Sequence, residues 1–119
     1  MDKIKPTDRL VANINSARFK PFEIDGAEVR VQSFLQLDET FPEGAGFHVY
    51  RMAPGTASQA HEHTCHEQFL VLEGEVIDHD GHVYRPGDFV LLKEGTIHNS
   101  RTETGATLAV FVRKMERNI

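Results

Sequence analysis

From Phe19 onward, apolar residues recur at alternate positions or in short runs, and each run stops at a glycine, proline or acidic turn. That period suits strands, because only in an extended chain do successive side chains face opposite ways. Phe19 to Ile24 reads as a first strand ending at the hairpin dipeptide Asp25-Gly26. Val29 to Leu37 alternates with a shift of phase near Phe34, and Phe47 to Met52 is a further strand closed by Pro54-Gly55. Then come Phe69 to Leu72, Glu75 to His79, Val83-Tyr84, the buried-type run Phe89 to Leu92, Ile97 to Thr102, and Thr107 to Met115. Leu108, Val110 and Val112 share a face of the last strand. Roughly nine or ten strands joined by glycine-centred turns predict an all-β sandwich or barrel. Ahead of them, Thr7 is expected to cap a short helical turn over Asp8 to Asn13. With no repeat or low-complexity tract, residues 1–18 read as an N-terminal extension and 19–119 as one domain.

The stretch between Gly55 and Gly74 breaks this apolar pattern with chemistry. His61 and His63 are two residues apart, so on a strand they lean the same way, about 6.5–7 Å apart at the backbone. Thr64, Cys65 and His66 suit a turn, after which Glu67 returns beside the histidines as a carboxylate. Further on, a strand and the Glu94-Gly95 turn deliver His98. In a closed sheet that strand lies beside the one bearing Glu67, giving a set of three histidines and one carboxylate. Three neutral imidazoles and a carboxylate suit one divalent Fe, Mn, Ni, Co or Zn ion.

Composition narrows the partners. The 119 residues carry 13 basic and 18 acidic side chains, a formal charge of −5, with no basic patch. Nucleic acid and anionic membrane are therefore poor partners. The single cysteine, Cys65, excludes an internal disulfide framework. Met1 to Pro6 has no apolar run to act as signal peptide or anchor, so a cytoplasmic setting is expected.

Other polar residues read more plainly. His66 with His61, His63 and Cys65 would make a zinc site of the Cys/His type. All four would then converge from one short segment, so His66 is taken as a solvated turn residue and Cys65 as its neighbour. His61-Glu62 is not a metalloprotease motif, since position 65 is cysteine in strand-rich sequence. His48, His79 and His82 lack partners at ligand spacing and are expected on the surface. Asn99 points away from His98. Gln59 shares strand parity with the histidines, Phe69 and Val71 share it with Glu67, and Tyr50 and Met52 are candidate wall residues on the preceding strand.

Gly55-x5-His61-x-His63-x3-Glu67-x6-Gly74 resembles the first cupin motif, and Gly87-x5-Lys93-x-Gly95-x2-His98 resembles the second. In the second, Lys93 replaces the usual proline and Thr102 the usual asparagine. Met52-Ala-Pro-Gly-Thr56 and Tyr84-Arg-Pro-Gly-Asp88 are similar to ChrR-like cupins in particular. The resemblance, over about residues 20 to 113, implies a single-domain cupin jelly-roll β-barrel, or double-stranded β-helix, with the metal inside. It implies His61, His63, Glu67 and His98 as ligands, with two coordination positions left for water or a small-molecule substrate. The expected function is a metal-dependent, dioxygenase-like oxygenase acting on a small oxygenated organic molecule such as a diketone or catechol. The alternative is a non-catalytic ligand-binding or sensory cupin, since ChrR-like cupins resemble the C-terminal half of an anti-sigma factor. A homodimer is expected, because small cupins often pair and the Phe19 to Ile24 strand would extend a partner's sheet edge.

Overall fold

The computed structural model describes residues 1–24 and 27–118; the Asp25-Gly26 hairpin turn expected from sequence lies outside them. The strands are β1 (Lys20–Ile24), β2 (Ala27–Leu35), β3 (Gly46–Met52), β4 (Thr56–Ala57), β5 (His61–Glu62), β6 (Glu67–Gly74) and β7 (Val76–Asp78). They continue with β8 (Val83–Tyr84), β9 (Phe89–Leu92), β10 (Ile97–His98), β11 (Ser100–Thr102), β12 (Ala106–Val112) and β13 (Arg117–Asn118). Among the described residues the helical content is one 3₁₀ turn, Pro6–Asp8. It begins earlier than the expected turn over Asp8 to Asn13, and no side chain caps it. Pro6 explains the shift, because its fixed φ is already suited to a first helical position. Among the described residues no helix is long and apolar enough to cross a membrane.

A six-stranded antiparallel sheet runs in the order β1-β2-β3-β12-β6-β9. Two smaller sheets, β4-β11-β7-β8 and β10-β5-β13, complete the all-β architecture. The core lies where the large sheet meets the four-stranded one. Phe69, Val71, Ala106, Leu108 and Val110 come from β6 and β12, Val76 from β7 and Tyr84 from β8. Phe69 and Tyr84 meet edge to face with ring centroids 5.2 Å apart, a favoured aromatic geometry.

Alternation decides which side chains enter this core, and two sequence expectations need correcting. Phe89 to Leu92 is not a buried run: Val90 and Leu92 pack on the core, but Phe89 is 74% and Leu91 49% exposed. β9 is the edge strand of the large sheet, and these two residues face outward with Leu70, Leu72, Phe111 and Phe47. His48 is the second correction. It sits next to outward Phe47 on β3 and is buried, its Nδ1 3.0 Å from the Gly46 carbonyl.

Ahead of β1, residues 14–19 are tied to β3 by one arginine. Arg51 donates from Nη2 to the Ile14 carbonyl at 2.7 Å and lays its guanidinium 3.9 Å from the Phe19 ring centroid. At the same end of the large sheet the chain leaves β6 through Gly74, at φ +77°. A Cβ there would stand 1.9 Å from the Gly105 carbonyl oxygen. This is backbone against backbone, with nothing flexible to yield.

Gly74→Ala should therefore destabilise the fold by at least about 3 kcal/mol in urea unfolding. Gly81→Ala, also at positive φ but with open space around it, should cost only about 1–2 kcal/mol of backbone strain. Equal losses would show that φ, and not the contact with Gly105, governs the first position.

Candidate metal centre

The smallest sheet brings the histidines together. β10 and β5 pair antiparallel with His98 directly opposite His61. The ladder extends one step past β5, where the His63 N–H donates to Thr96 O at 2.9 Å and Gly95 N–H donates to His63 O at 2.8 Å. The Gly95 turn forms despite Lys93 in place of proline. Thr96 donates to the Lys93 carbonyl from its N–H (3.1 Å) and from its hydroxyl (2.7 Å). Thr102, in place of asparagine, is buried with its hydroxyl unpartnered, while its carbonyl accepts from Gly55 N–H at 3.0 Å.

All three histidines are buried. Their ring centroids are 5.1 Å (His61–His63), 4.5 Å (His61–His98) and 4.9 Å (His63–His98) apart. One ring nitrogen from each lies within 4.8 Å of the other two, so the group can hold a metal ion.

The surroundings fix which nitrogens face inward. His61 Nδ1 lies 2.8 Å from the Gln59 carbonyl, an oxygen that can only accept, so the proton sits on Nδ1 and Nε2 keeps its lone pair. His98 Nδ1 is 3.1 Å from Asp78 Oδ1, and the same reasoning leaves its Nε2 bare. That nitrogen faces His63 Nε2 at 2.9 Å. Two lone pairs at such a distance repel unless a proton or a cation lies between them. His63 Nδ1 is buried and has no hydrogen-bond partner. The donor set thus fits a cation.

Asp78 is the brace behind this arrangement. Burial opposes its ionisation, but hydrogen bonds from His98, Ser100 (2.5 Å) and Tyr84 (2.6 Å) prevail and hold its pKa at about 2. His63 is pushed down to about 4, first by burial and then by the neighbouring His98 and His61. Its folded pKa lies below the ordinary 6.5, so unfolding takes up a proton. The associated stability is complete above about pH 6.5 and is lost as the pH falls towards 4. Imidazoles must be neutral to bind a metal, and His63 already is.

Glu67 starts β6 on the same cavity, with Oε2 3.9 Å from His63 Nδ1. It stands outside the tight three-histidine group. Burial, then the charges of Glu116 and Asp78, raise its pKa to about 8. The cavity, about 350 Å³, has an apolar wall of Phe69, Val76, Leu108, Val110 and Val112, and Tyr50, Met52, Gln59 and His48 also line it. His66 is exposed and accepts from Glu94 N–H at 2.8 Å, bracing the turn. Half-buried Cys65 lies with Sγ 3.8 Å from the Lys114 carbonyl. Neither joins the histidine group. Asn99 contributes its carbonyl to His79 N–H at 3.0 Å, and His79 and His82 are exposed.

Three contributors escaped the sequence reading: Asp78, Glu116 and buried His48. Asp78 had a signal, being an acid at the same strand parity as apolar Val76. Glu116 had none, because a pairing distant in sequence places it. Removing the brace should loosen the centre: Asp78→Asn should weaken metal affinity about 10–100-fold, measured by competition with a chromophoric chelator. Unchanged affinity would show that the orientation of His98 does not depend on this carboxylate.

Comparison with known proteins agrees with the architecture. Among curated protein sequences no relative matches. The polyketide cyclase RemF from Streptomyces resistomycificus superposes with a TM-score of 0.69 at 20% identity, over 93% of this chain and 85% of that one. An acetylacetone dioxygenase from Acinetobacter johnsonii gives 0.65 at 12% identity, over 92% and 76%. A chain in the Rhodobacter sphaeroides complex of SigE with the anti-sigma ChrR gives 0.58 at 20% identity, over 82% of this chain and 50% of that one. At such identities the likeness is one of fold. The family model of the ChrR Cupin-like domain matches residues 7–116, and the chain belongs to that cupin family.

Proposed function

We propose that this protein is a metal-dependent oxygenase, dioxygenase-like, acting on a small oxygenated organic molecule within a jelly-roll barrel. The observation that carries this reading is the grouping of three imidazoles, His61, His63 and His98, beside a largely apolar cavity of about 350 Å³ that His61 and His98 line. His61, His63 and His98 would hold one divalent transition metal ion, with Glu67 as fourth ligand from the same cavity. When bound, such an ion supplies Lewis acidity towards a chelating enol or diol and, if redox-active, a site for O₂. The chain's own residues provide the setting. Gln59 and Asp78 keep the ring protons of His61 and His98 on Nδ1. Phe69, Val76 and Leu108 exclude water from the reacting molecule. The fold likeness to an acetylacetone dioxygenase supports a substrate of this class.

The second reading is a non-catalytic ligand sensor, favoured by membership of the ChrR Cupin-like family. A homodimer belongs to both readings. β1 leaves a free edge on the large sheet, and Phe47, Leu70, Phe89, Leu91 and Phe111 are exposed on the strands. An apolar face of this kind calls for cover.

Metal loading separates the ligand sets. His61→Ala and His98→Ala should lose stoichiometric metal by elemental analysis, Glu67→Gln should bind at least about 10-fold more weakly, and His66→Ala should be unaffected. Fe(II)-loaded protein should then consume O₂ with acetylacetone or catechol, whereas the Zn(II) form should not. Tight binding of these molecules without O₂ uptake would replace the oxygenase with the sensor. Sedimentation at micromolar concentration should give a dimer, and only a species near 13.4 kDa would exclude it.

A further inference from the structure

One end of the cavity is built by the C-terminal segment. β13 pairs antiparallel with β5, Arg117 opposite Glu62 and Asn118 opposite His61. The Arg117 guanidinium makes an ion pair with the Glu62 carboxylate. Just before it, the Thr64 hydroxyl donates to the Met115 carbonyl at 3.0 Å. Met115 and Phe22 crowd Gly44, where an added Cβ would meet Met115 Sδ at 2.7 Å and Phe22 Cε1 at 2.8 Å. The segment is thus fastened at several points to the strand and turn that carry His61 and His63.

These fastenings orient Glu116. One step further along the β5–β13 register it stands opposite His63, and alternation sends it to the face that Arg117 avoids. It lines the cavity with Phe22, Gly44 and Met115. Its charge is felt by Glu67, His63 and His48, each of whose proton affinities it raises. Among the described lining residues the acidic groups are Glu67 and Glu116, and there is no lysine or arginine. If Glu67 is engaged by a metal ion, Glu116 remains as a fixed negative charge facing a bound ligand. A plain surface acid would be screened by water and salt. A carboxylate in a partly apolar cavity is screened far less.

We propose that Glu116 is a specificity-determining residue of this cavity: its carboxylate, held opposite His63 by β13, admits neutral ligands to the metal and turns anionic ones away. The inference rests on the metal-centre reading above. A neutral enol or phenol can also donate a charge-assisted hydrogen bond to Glu116, whereas a substrate bearing a carboxylate or phosphate meets repulsion with no lysine or arginine in the lining to offset it.

The test uses Co(II)-loaded wild type, Glu116→Gln and, as a control for overall charge, Glu103→Gln, whose side chain is exposed. Each is titrated with azide, an anion, and with neutral imidazole, following the visible absorption of Co(II). Glu116→Gln should bind azide about 10-fold more tightly than wild type, with imidazole affinity unchanged and Glu103→Gln matching wild type. Equal azide affinity in wild type and Glu116→Gln, or no azide binding in either, overturns the proposal. So does an equal gain for azide and imidazole, which would make Glu116 a steric plug, or a tightening of azide in Glu103→Gln as large as that in Glu116→Gln. Loss of Co(II) from Glu116→Gln alone also overturns it. Failure of wild type to take up Co(II) at all would instead refute the metal centre, and this inference with it.

Discussion

A single buried carboxylate, Asp78, links three short strands around the candidate centre. It receives hydrogen bonds from His98 at the end of β10, Ser100 on β11 and Tyr84 on β8. Without it, the ring of His98 would have no partner fixing its tautomer, and the hydroxyls of Ser100 and Tyr84 would lose an acceptor. Leaving a buried polar group unpaired costs about 1–3 kcal/mol. The cost of burying Asp78 is met only because all three donors arrive together. This couples the order of the four-stranded sheet to the orientation of one imidazole of the histidine group. Shape and chemistry at this end of the molecule are one problem, solved by one side chain.

The histidines were legible in the sequence because their placement needs only local rules. His61 and His63 share a strand face, and a glycine turn returns the chain to His98. Glu67 was legible as a residue of the same cavity, though its distance from the histidine group is a matter of tertiary packing. Strand positions were readable for the same reason: Val83–Tyr84 and Phe89–Leu92 fall where alternation and turns put them. What covers each face was not. Phe89 and Leu91 look like core by type, yet burial is decided by the neighbouring layer, and β9 has none on its outer side. His48 fails in the opposite sense. A lone histidine with no ligand spacing suggests a surface position, but on β3 its parity is that of Tyr50 and Met52. Glu116 depends on a two-residue strand formed across more than fifty residues of chain, which no local pattern announces.

The cavity combines a dry wall with a polar end. Phe69, Val76 and Leu108 face it from two sheets, and the polar groups gather where the third sheet closes over them. On the long strands the inward side chains, Phe69 on β6 and Leu108, Val110 and Val112 on β12, are placed by alternation at every second residue. The residues between are left to the outer surface, which is why that surface is so apolar on the large sheet.

Strand β6 carries a hidden hazard in this scheme. Phe69, Leu70, Val71 and Leu72 are apolar on both faces. A slip of one residue would therefore exchange one greasy face for another, and the hydrophobic pattern offers little resistance. The same slip would swing Glu67 away from the histidines. Register must be set elsewhere, and the bulge between Thr107 and Leu108, with the close approach of Gly74 to Gly105, is where it is pinned. Two glycines with no side chain of their own thereby decide whether a carboxylate some seven residues away faces the cavity or the solvent.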